Sequence, residues 1–435
     1  MTSVFKLITN KNRGVVYPNE ATGNTLSPSQ TAALKALAKQ GDGIELYFFS
    51  DQPTSGYAES RKMPMYGGDH EDFPSCIIHP KNTQEVSAAL ECCHNSNIRD
   101  ISIYNGGHST QGMKGSVVIK LSALNIVSVR KNKPGPHIVT FGGGCTNAQV
   151  DAACKPYGVA ITSGNAPALG AVGSLLGGGV GYLARWQGLA IDNLVEATVV
   201  LSDGEIAVAT KDENSDLLFA LKGGGGNFGV VTEVKVRARM LDFDPSYRRG
   251  EVYYETRVVR HGNSLLGGNG IGESTEVFSA WRDYALEAPD HVSCDCVLPT
   301  GGPMVQAFTY KGSHESALAE SANEWSALGD ATKKTIAKPA NYFEVVQNAS
   351  TKHMDYNSPS PHVYRTVIMD SLPDEAVQIL MEACTTGAPN KHSLIHVSSL
   401  KILRQKKKII SSTKKKMQFE CWRNCTTSID CMALF

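Results

Sequence analysis

Three glycine-rich segments constrain what this 435-residue chain can fold into, at residues 104–112, 163–181 and 222–229. Because glycine has no Cβ, successive backbone N–H groups in such segments can converge on phosphate oxygens. Taken alone, each segment could equally well contain glycines that only form turns. A dinucleotide diphosphate has several oxygens to satisfy, so the three segments together predict a phosphate-bearing cofactor.

Two familiar phosphate-binding motifs do not account for these segments. Residues 224–229 match G-x-G-x-x-G, but a Rossmann loop must open a helix. Residues 230–236 instead alternate apolar and polar side chains, as a half-buried strand does. A G-x-x-x-x-G-K-[ST] loop is absent from the sequence. The chain therefore needs a phosphate-binding fold of another kind.

Short strands outnumber helices along the chain, and this mixture predicts an α+β fold rather than a doubly wound sheet. Helices are predicted over residues 27–38, from Thr83 with Thr83 as the cap, and from Thr146 as the cap to about residue 154. A further helix is predicted over residues 314–328. Strands are predicted at residues 76–78, 101–104, 117–121, 126–129, 137–141, 195–201, 205–209, 230–236, 294–298, 305–310 and 393–397.

Composition shifts divide the chain into four parts: 1–60, 61–242, 243–400 and 401–435. The last part is basic, with seven lysines and one arginine between residues 401 and 416. A solvated or disordered tail is the simpler interpretation. A localisation signal or nucleic-acid patch is the alternative, although no aromatic residue is interleaved with the lysines.

The charge and the cysteines exclude several classes. Lys+Arg and Asp+Glu are both 42, so no overall field attracts the chain to nucleic acid or a membrane. The 11 cysteines lack metal-ligand spacing, so we expect no metal site. The apolar stretch at residues 4–8 is too short for a signal peptide, and no run reaches the roughly 18 apolar residues of a membrane helix. A cytoplasmic, membrane-free protein is the expectation.

His108 is the most distinctive single residue. It follows Gly106 and Gly107 and precedes Ser109, in a loop expected to meet the cofactor. A neutral imidazole in a backbone-lined cleft can act as nucleophile, base or hydrogen-bond donor.

The ordered motifs between residues 73 and 238 resemble the flavin-binding domain of the vanillyl-alcohol oxidase and p-cresol methylhydroxylase superfamily. Within that superfamily the sequence is most similar to the berberine-bridge-enzyme-like group. The motifs are Pro-Ser-Cys-Ile-Ile-His-Pro at 74–80, Gly-Gly-His-Ser at 106–109, Phe-Gly-Gly-Gly at 141–144, Gly-Gly-Gly-Val-Gly at 177–181, Arg-Trp-Gln-Gly-Leu-Ala-Ile-Asp-Asn at 185–193 and Gly-Asn-Phe-Gly-Val-Val-Thr at 226–232.

This resemblance implies FAD as the cofactor, an FAD-binding domain of the p-cresol methylhydroxylase type at 61–242, and an antiparallel-sheet substrate domain at 243–400. It implies that His108 is bonded covalently to the 8α-methyl of the flavin. Ala166 stands where many relatives have a second attachment cysteine, and Ser174 where many have a histidine. The implied cofactor-binding residues are Asn105, Gly106, Gly107, His108, Ser109, Thr110, Gln111, Gly112, Ser163, Gly164, Gly170, Gly173, Ser174, Gly178, Gly181 and Val230.

The activity implied by the resemblance is that of an FAD-linked oxidase or dehydrogenase. A small alcohol, sugar or secondary metabolite would lose a hydride to the flavin, and dioxygen or another acceptor would reoxidise it. Residues 401–435 do not resemble the relatives' C-terminal segments, so a flavin-binding protein without turnover is one alternative, and a nucleotide-binding or interaction protein using the basic tail is another. No catalytic base is assigned. Tyr310, Tyr342 and Glu344 lie in the substrate domain, although structural roles suit them better.

Overall fold

The computed structural model describes most of the first 241 residues and selected elements beyond them. The described residues are 26–39, 43–51, 56–63, 72–108, 113–132, 136–241, 251–259, 271–288, 292–299, 304–309, 332–351, 372–385, 394–398 and 433–434. The predicted helix at 314–328, Tyr310, and the predicted site residues Ser109, Thr110, Gln111 and Gly112 lie outside these ranges.

Helices and strands alternate irregularly along the described residues. The α-helices are α1 (Pro28–Leu37), α2 (Tyr57–Arg61), α3 (Thr83–Asn95), α4 (Asn147–Cys154), α5 (Ala171–Leu176), α6 (Ala184–Gln187), α7 (Ser215–Gly224), α8 (Ile271–Glu287), α9 (Tyr342–Thr351) and α10 (Asp374–Thr385). The strands are β1 (Glu45–Phe48), β2 (Cys76–His79), β3 (Ile101–Tyr104), β4 (Val117–Lys120), β5 (Val127–Arg130), β6 (His137–Gly142), β7 (Val159–Ala160), β8 (Leu194–Val200), β9 (Ile206–Ala209), β10 (Val230–Met240), β11 (Glu251–Val259), β12 (Val292–Pro299), β13 (Met304–Thr309), β14 (Thr332–Asn341), β15 (Leu394–Ser398) and β16 (Ala433–Leu434).

The strands form three sheets. The first has the order β1-β2-β4-β3, with parallel pairing from β2 to β4 and from β4 to β3. The second is antiparallel in the order β5-β6-β10-β8-β9, and β7 joins it beside β10. The third has the order β14-β11-β13-β12-β15-β16. Mixed and antiparallel sheets with helices packed on them confirm the predicted α+β class.

Local sequence signals explain several helix starts. In α1, Ser27 accepts a hydrogen bond from the Gln30 backbone N–H, and the Gln30 side chain accepts one from the Ser27 N–H. The cap of α3 differs from the prediction. It is Asn82 rather than Thr83, because the Asn82 side chain accepts the Glu85 N–H at 2.9 Å. The apolar side of α3 is buried as its periodicity indicates, at Val86, Ala89, Leu90 and Cys93.

The third glycine segment leads into a strand, as predicted. α7 ends within this segment, a short turn follows at Gly225–Phe228, and β10 begins at Val230. No helix N-terminus therefore faces outward from this loop. The rejection of a Rossmann unit is confirmed by this geometry.

The second half of the chain adds elements that the sequence patterns did not predict. Helices α8 and α10 pack on one side of the third sheet, in a core with β12. The predicted strands at 294–298, 305–310 and 393–397 are present as β12, β13 and β15 with slightly different ends. The two residues of β16, in the segment expected to contribute no strand, pair in parallel with β15.

Candidate functional site

The loop that carries His108 is tied to a neighbouring loop through Asn105. The Asn105 Nδ2 donates to the carbonyl oxygens of Gly143, at 2.6 Å, and of Cys145, at 3.2 Å. β3 delivers Asn105 to this position, since the strand ends at Tyr104. His108 is half-buried and lies at the end of the described part of the loop.

The first and second glycine segments then meet backbone to backbone. A Cβ on Gly106 would lie 2.2 Å from the Gly170 nitrogen and 2.8 Å from the Ala168 oxygen. A Cβ on Gly170 would in turn lie 2.9 Å from the Asn105 Nδ2. Real Cβ atoms do not approach other heavy atoms so closely, so only glycine allows this contact. The structure thus brings together two segments that are more than 50 residues apart in the sequence.

The second segment also folds back on itself. The Asn147 Nδ2, at the start of α4, donates to the carbonyl oxygens of Gly164 and Ala166, each at 3.0 Å. A Cβ on Gly181 would lie 1.7 Å from the Ser163 oxygen. Ser163, Gly164 and Gly181 are therefore held in one compact turn beside the His108 loop.

This turn has features that suit an extended phosphate-bearing cofactor such as FAD. The Ser163 hydroxyl is buried and has no hydrogen-bond partner among the described residues. Gly173 and Gly178 have no atom within 4 Å of the position that a Cβ would occupy. A buried hydroxyl that lacks a partner and glycine backbone with open space beside it are features that a phosphate-bearing cofactor can use. Ser174 lies in the same turn, with its Oγ 2.9 Å from the Cβ position of Gly164.

Strand β10, which follows the third glycine segment, is bonded to the loop after β6. Gly143 N–H donates to the Thr232 carbonyl oxygen at 2.7 Å, which joins the loop after β6 to β10. Val230, one of the predicted cofactor residues, has its side chain packed in the apolar core of the first sheet. The structure therefore brings Asn105, Gly106, Gly170 and the 163–181 turn together, whereas the Val230 side chain points into the core.

Two buried polar residues of the third sheet, Ser293 and Asp295, were missed by the sequence analysis. Cys294 and Cys296 of β12 lie in the core under α8 and α10. Because side chains alternate along a strand, Ser293 and Asp295 face the opposite side of the sheet. Asp295 is only 3% exposed, and α6 of the glycine-rich region contacts β12. A carboxylate within the apolar run at 292–298 was the available signal.

The structure assigns two of the earlier substrate candidates to structural positions. Tyr342 is 1% exposed and packs in the core of the second sheet. Glu344 is exposed and forms an ion pair with Lys155, with 3.1 Å between its Oε1 and the Lys155 Nζ. Helix α9 thus contacts α4, with Tyr342 buried in the core and not on the surface, and Glu344 on the exposed side of the helix.

One buried carboxyl next to the site has an unusual environment. Asp151 lies on α4, one turn after Asn147, and its Oδ2 has no hydrogen-bond partner among the described residues. Burial raises the pKa of Asp151 from 3.8 to about 7, because desolvation penalises the ionised form. This carboxyl stays largely protonated below neutral pH.

Two negative findings apply to the described ranges. There, no helix combines the length and the apolar character needed to cross a bilayer. Within the same ranges, no three His, Cys, Asp or Glu side chains cluster closely enough to hold a metal ion.

The first two glycine segments lie within a known domain. Residues 74–210 match the FAD binding domain family. The FAD-linked oxidoreductase pgmH of Aspergillus terreus is 36% identical over 193 residues, which cover 44% of this chain and 35% of that protein. The chain thus matches about a third of the length of this curated relative.

Solved structures extend the similarity to the fold of the second half. The Physcomitrella patens BBE-like 1 wild-type structure has a TM-score of 0.71 at 18% identity, covering 90% of this chain and 87% of that chain. A glucooligosaccharide oxidase from Acremonium strictum, described with a 6-S-cysteinyl, 8α-N1-histidyl FAD, has a TM-score of 0.66 at 22% identity, covering 83% of this chain and 72% of that chain.

The domain match establishes FAD as the cofactor. The solved structures share the fold in which that domain is followed by an antiparallel sheet. Residues 74–210 therefore belong to the FAD binding domain family, and the fold of the chain is similar to that of the BBE-like structure.

Proposed function

We propose that this chain is an FAD-dependent oxidoreductase that removes a hydride from a small organic substrate and carries its flavin covalently on His108. The observation that carries the proposal is the contact between the His108 loop and the 163–181 turn at Gly106 and Gly170. This contact sets the glycine backbones of the two segments side by side, two residues before His108.

The residues proposed to hold FAD divide into two groups. Backbone N–H groups of Gly106, Gly107, Gly164, Gly170, Gly173, Gly178 and Gly181 would face the diphosphate and its sugars. The side chains of Asn105, Ser163 and Ser174 would orient the loops or bond the cofactor directly. Residues 109–112 remain proposed contacts outside the described structure. When bound, FAD supplies the hydride-accepting and acceptor-reducing chemistry.

His108 is proposed as the single covalent attachment. Neutral imidazole is a competent nucleophile near physiological pH. The glucooligosaccharide oxidase noted above has a histidyl and a cysteinyl bond. Ala166 occupies the position expected for the second bond, and its side chain has no nucleophile. One bond from the protein to the flavin is therefore the prediction.

Asp295 is proposed as the residue that meets the substrate. Its carboxylate lies on the side of the third sheet away from α8 and α10, and β12 is also contacted by α6. A carboxylate there can accept the proton of a substrate hydroxyl or amine as the hydride leaves. Ser293, two residues earlier on the same side, can donate or accept a hydrogen bond from the same substrate.

The remaining parts of the proposal concern setting and substrate. We propose a small alcohol, sugar or secondary metabolite as substrate, and dioxygen or another small acceptor as oxidant. The domain division at residues 242 and 400 and a cytoplasmic location are part of the same proposal.

Mass spectrometry under native and acid-denaturing conditions tests cofactor presence and covalency together. The expected mass is that of the chain plus one FAD under both conditions. A panel of alcohols, sugars and amines is then mixed with the protein without oxygen, and at least one member should bleach the visible flavin band. Retained FAD without bleaching by any member would favour the flavin-binding alternative. A protein that purifies with no flavin and takes up none would overturn the proposal.

A further inference from the structure

Arg185 is a buried charge at the junction between the FAD-binding domain and the third sheet. It lies on α6, directly after the glycine segment, and is only 2% exposed. A guanidinium stays charged in proteins, so its burial is tolerated only where several acceptors surround it. The partners of Arg185 therefore show what this charge is for.

Two of these partners lie at the C-terminal end of α8, about a hundred residues away in the sequence. The Arg185 Nη1 donates to the Ala285 carbonyl oxygen at 3.0 Å, and the Nη2 donates to the Ala288 carbonyl oxygen. The last carbonyl groups of a helix have no partner within the helix and form the negative end of its dipole. Arg185 thus caps α8 from a different part of the molecule.

The end of α8 packs in one core with β12. Ala285 and Ala288 pack in the same core as Cys294 and Cys296 of β12. Helix α6 itself also contacts β12. Fixing the end of α8 therefore fixes the strand that carries Asp295.

We propose that Arg185 is a positioning residue that locks the third sheet onto the FAD-binding domain and so sets the place of β12 relative to the flavin. The planar guanidinium fork serves two carbonyl groups at once, which a lysine ammonium cannot do in the same geometry. The expected effect of Arg185 on flavin reduction rests on the proposed function. The role of Arg185 in placing β12 does not.

The test compares two arginines that bond near the same helix. The variants are Arg185→Met and Arg185→Lys, with Arg282→Met as the matched control. Arg282 also lies on α8, but its Nη1 bonds the Leu372 carbonyl oxygen at 3.1 Å and the Asp374 Oδ1 at 2.5 Å, at the start of α10. The control therefore removes a similar charge without touching the junction.

Amide hydrogen exchange of the flavin-loaded protein gives the first readout. Arg185→Met should speed exchange of residues 292–298 by roughly tenfold or more, because the strand opens locally more often. Strands β8 and β10 should keep wild-type rates, and the covalent flavin should stay in place. In Arg185→Lys, the exchange rate of residues 292–298 should lie between those of wild type and Arg185→Met. In Arg282→Met, only residues near the start of α10 should exchange faster.

Kinetics of flavin reduction give the second readout. If a substrate reduces the flavin of wild type, Arg185→Met should slow that reduction by about tenfold or more while keeping its full flavin content. The reason is that a shifted β12 displaces Asp295 and so misaligns the substrate. Unchanged exchange of β12 in both Arg185 variants would overturn the inference, as would equal loosening of β8 and β10. A wild type without turnover would refute the proposed function and leave the exchange result to decide the role of Arg185.

Discussion

The FAD-binding domain and the third sheet build their parts of the site in different ways. In the domain, loops meet through backbone atoms, and the missing Cβ of Gly106 and Gly170 allows the contact. In the third sheet, strand alternation selects which side chains face the site, and Arg185 sets where the strand lies. A close contact between two backbone segments tolerates almost no added side-chain atom. A side-chain contact, by contrast, can be removed by substitution while the chain still folds. Variants in the two regions should therefore fail differently.

Gly106→Ala should have the largest effect. The new Cβ would stand 2.2 Å from the Gly170 nitrogen, so the two glycine segments must separate. We expect little or no flavin in the purified variant, measured as the ratio of visible to ultraviolet absorbance. Gly226→Ala is the control, because no atom lies within 4 Å of its Cβ position. Normal flavin content in Gly106→Ala would show that the loops can part without losing the site.

His108→Ala should remove the covalent bond and spare the loops. The imidazole is the proposed attachment, while Asn105 still ties the loop to Gly143. Flavin should then appear in the supernatant after acid precipitation, whereas wild type keeps a yellow pellet. His94→Ala, an exposed change on α3, should behave as wild type. Flavin that remains in the pellet of the His108 variant would refute the attachment.

Asp295→Asn should slow turnover. An amide keeps the shape of the side chain but cannot accept a substrate proton, and positioned bases contribute on the order of 100-fold or more. We expect flavin reduction to slow by about that factor with full flavin content. Ser293→Ala should slow reduction less. Equal slowing in both variants would indicate a packing role for this side of β12.

Asp151→Asn should change the pH dependence of stability. The folded-state pKa of Asp151 is about 7, above its ordinary value of 3.8, so the folded protein holds this proton more tightly. Its contribution is complete below about pH 4 and is lost as the pH rises toward 7, by at most roughly 4 kcal/mol for a gap of about three pKa units.

The asparagine variant should lack this contribution to the pH dependence. Denaturant unfolding at several pH values between 4 and 8 checks it through the difference in unfolding free energy between wild type and variant. The variant should gain stability relative to wild type as the pH rises. A difference that is constant across this range would mean that Asp151 is ionised throughout.

The sequence by itself determined the features that depend on near neighbours. The buried side of α3, the Ser27 and Gln30 cap, and the strand after residues 222–229 follow from periodicity and local hydrogen bonding. The glycine loops and their order were readable for the same reason, because a missing Cβ acts on the backbone where it occurs. The FAD-binding domain and its cofactor were then indicated by the resemblance of these ordered motifs to a known family.

Tertiary structure decided what depends on distant partners. Only the fold brings Gly106 against Gly170, places Tyr342 in the core of the second sheet, and joins Arg185 to α8. Likewise, β12 buries Cys294 and Cys296 against α8 and against α10, which lies much later in the chain, and Asp295 therefore faces the other side. Periodicity predicts that a residue will be buried, but its partner is chosen by packing, and packing joins residues whose separation along the chain leaves no local pattern.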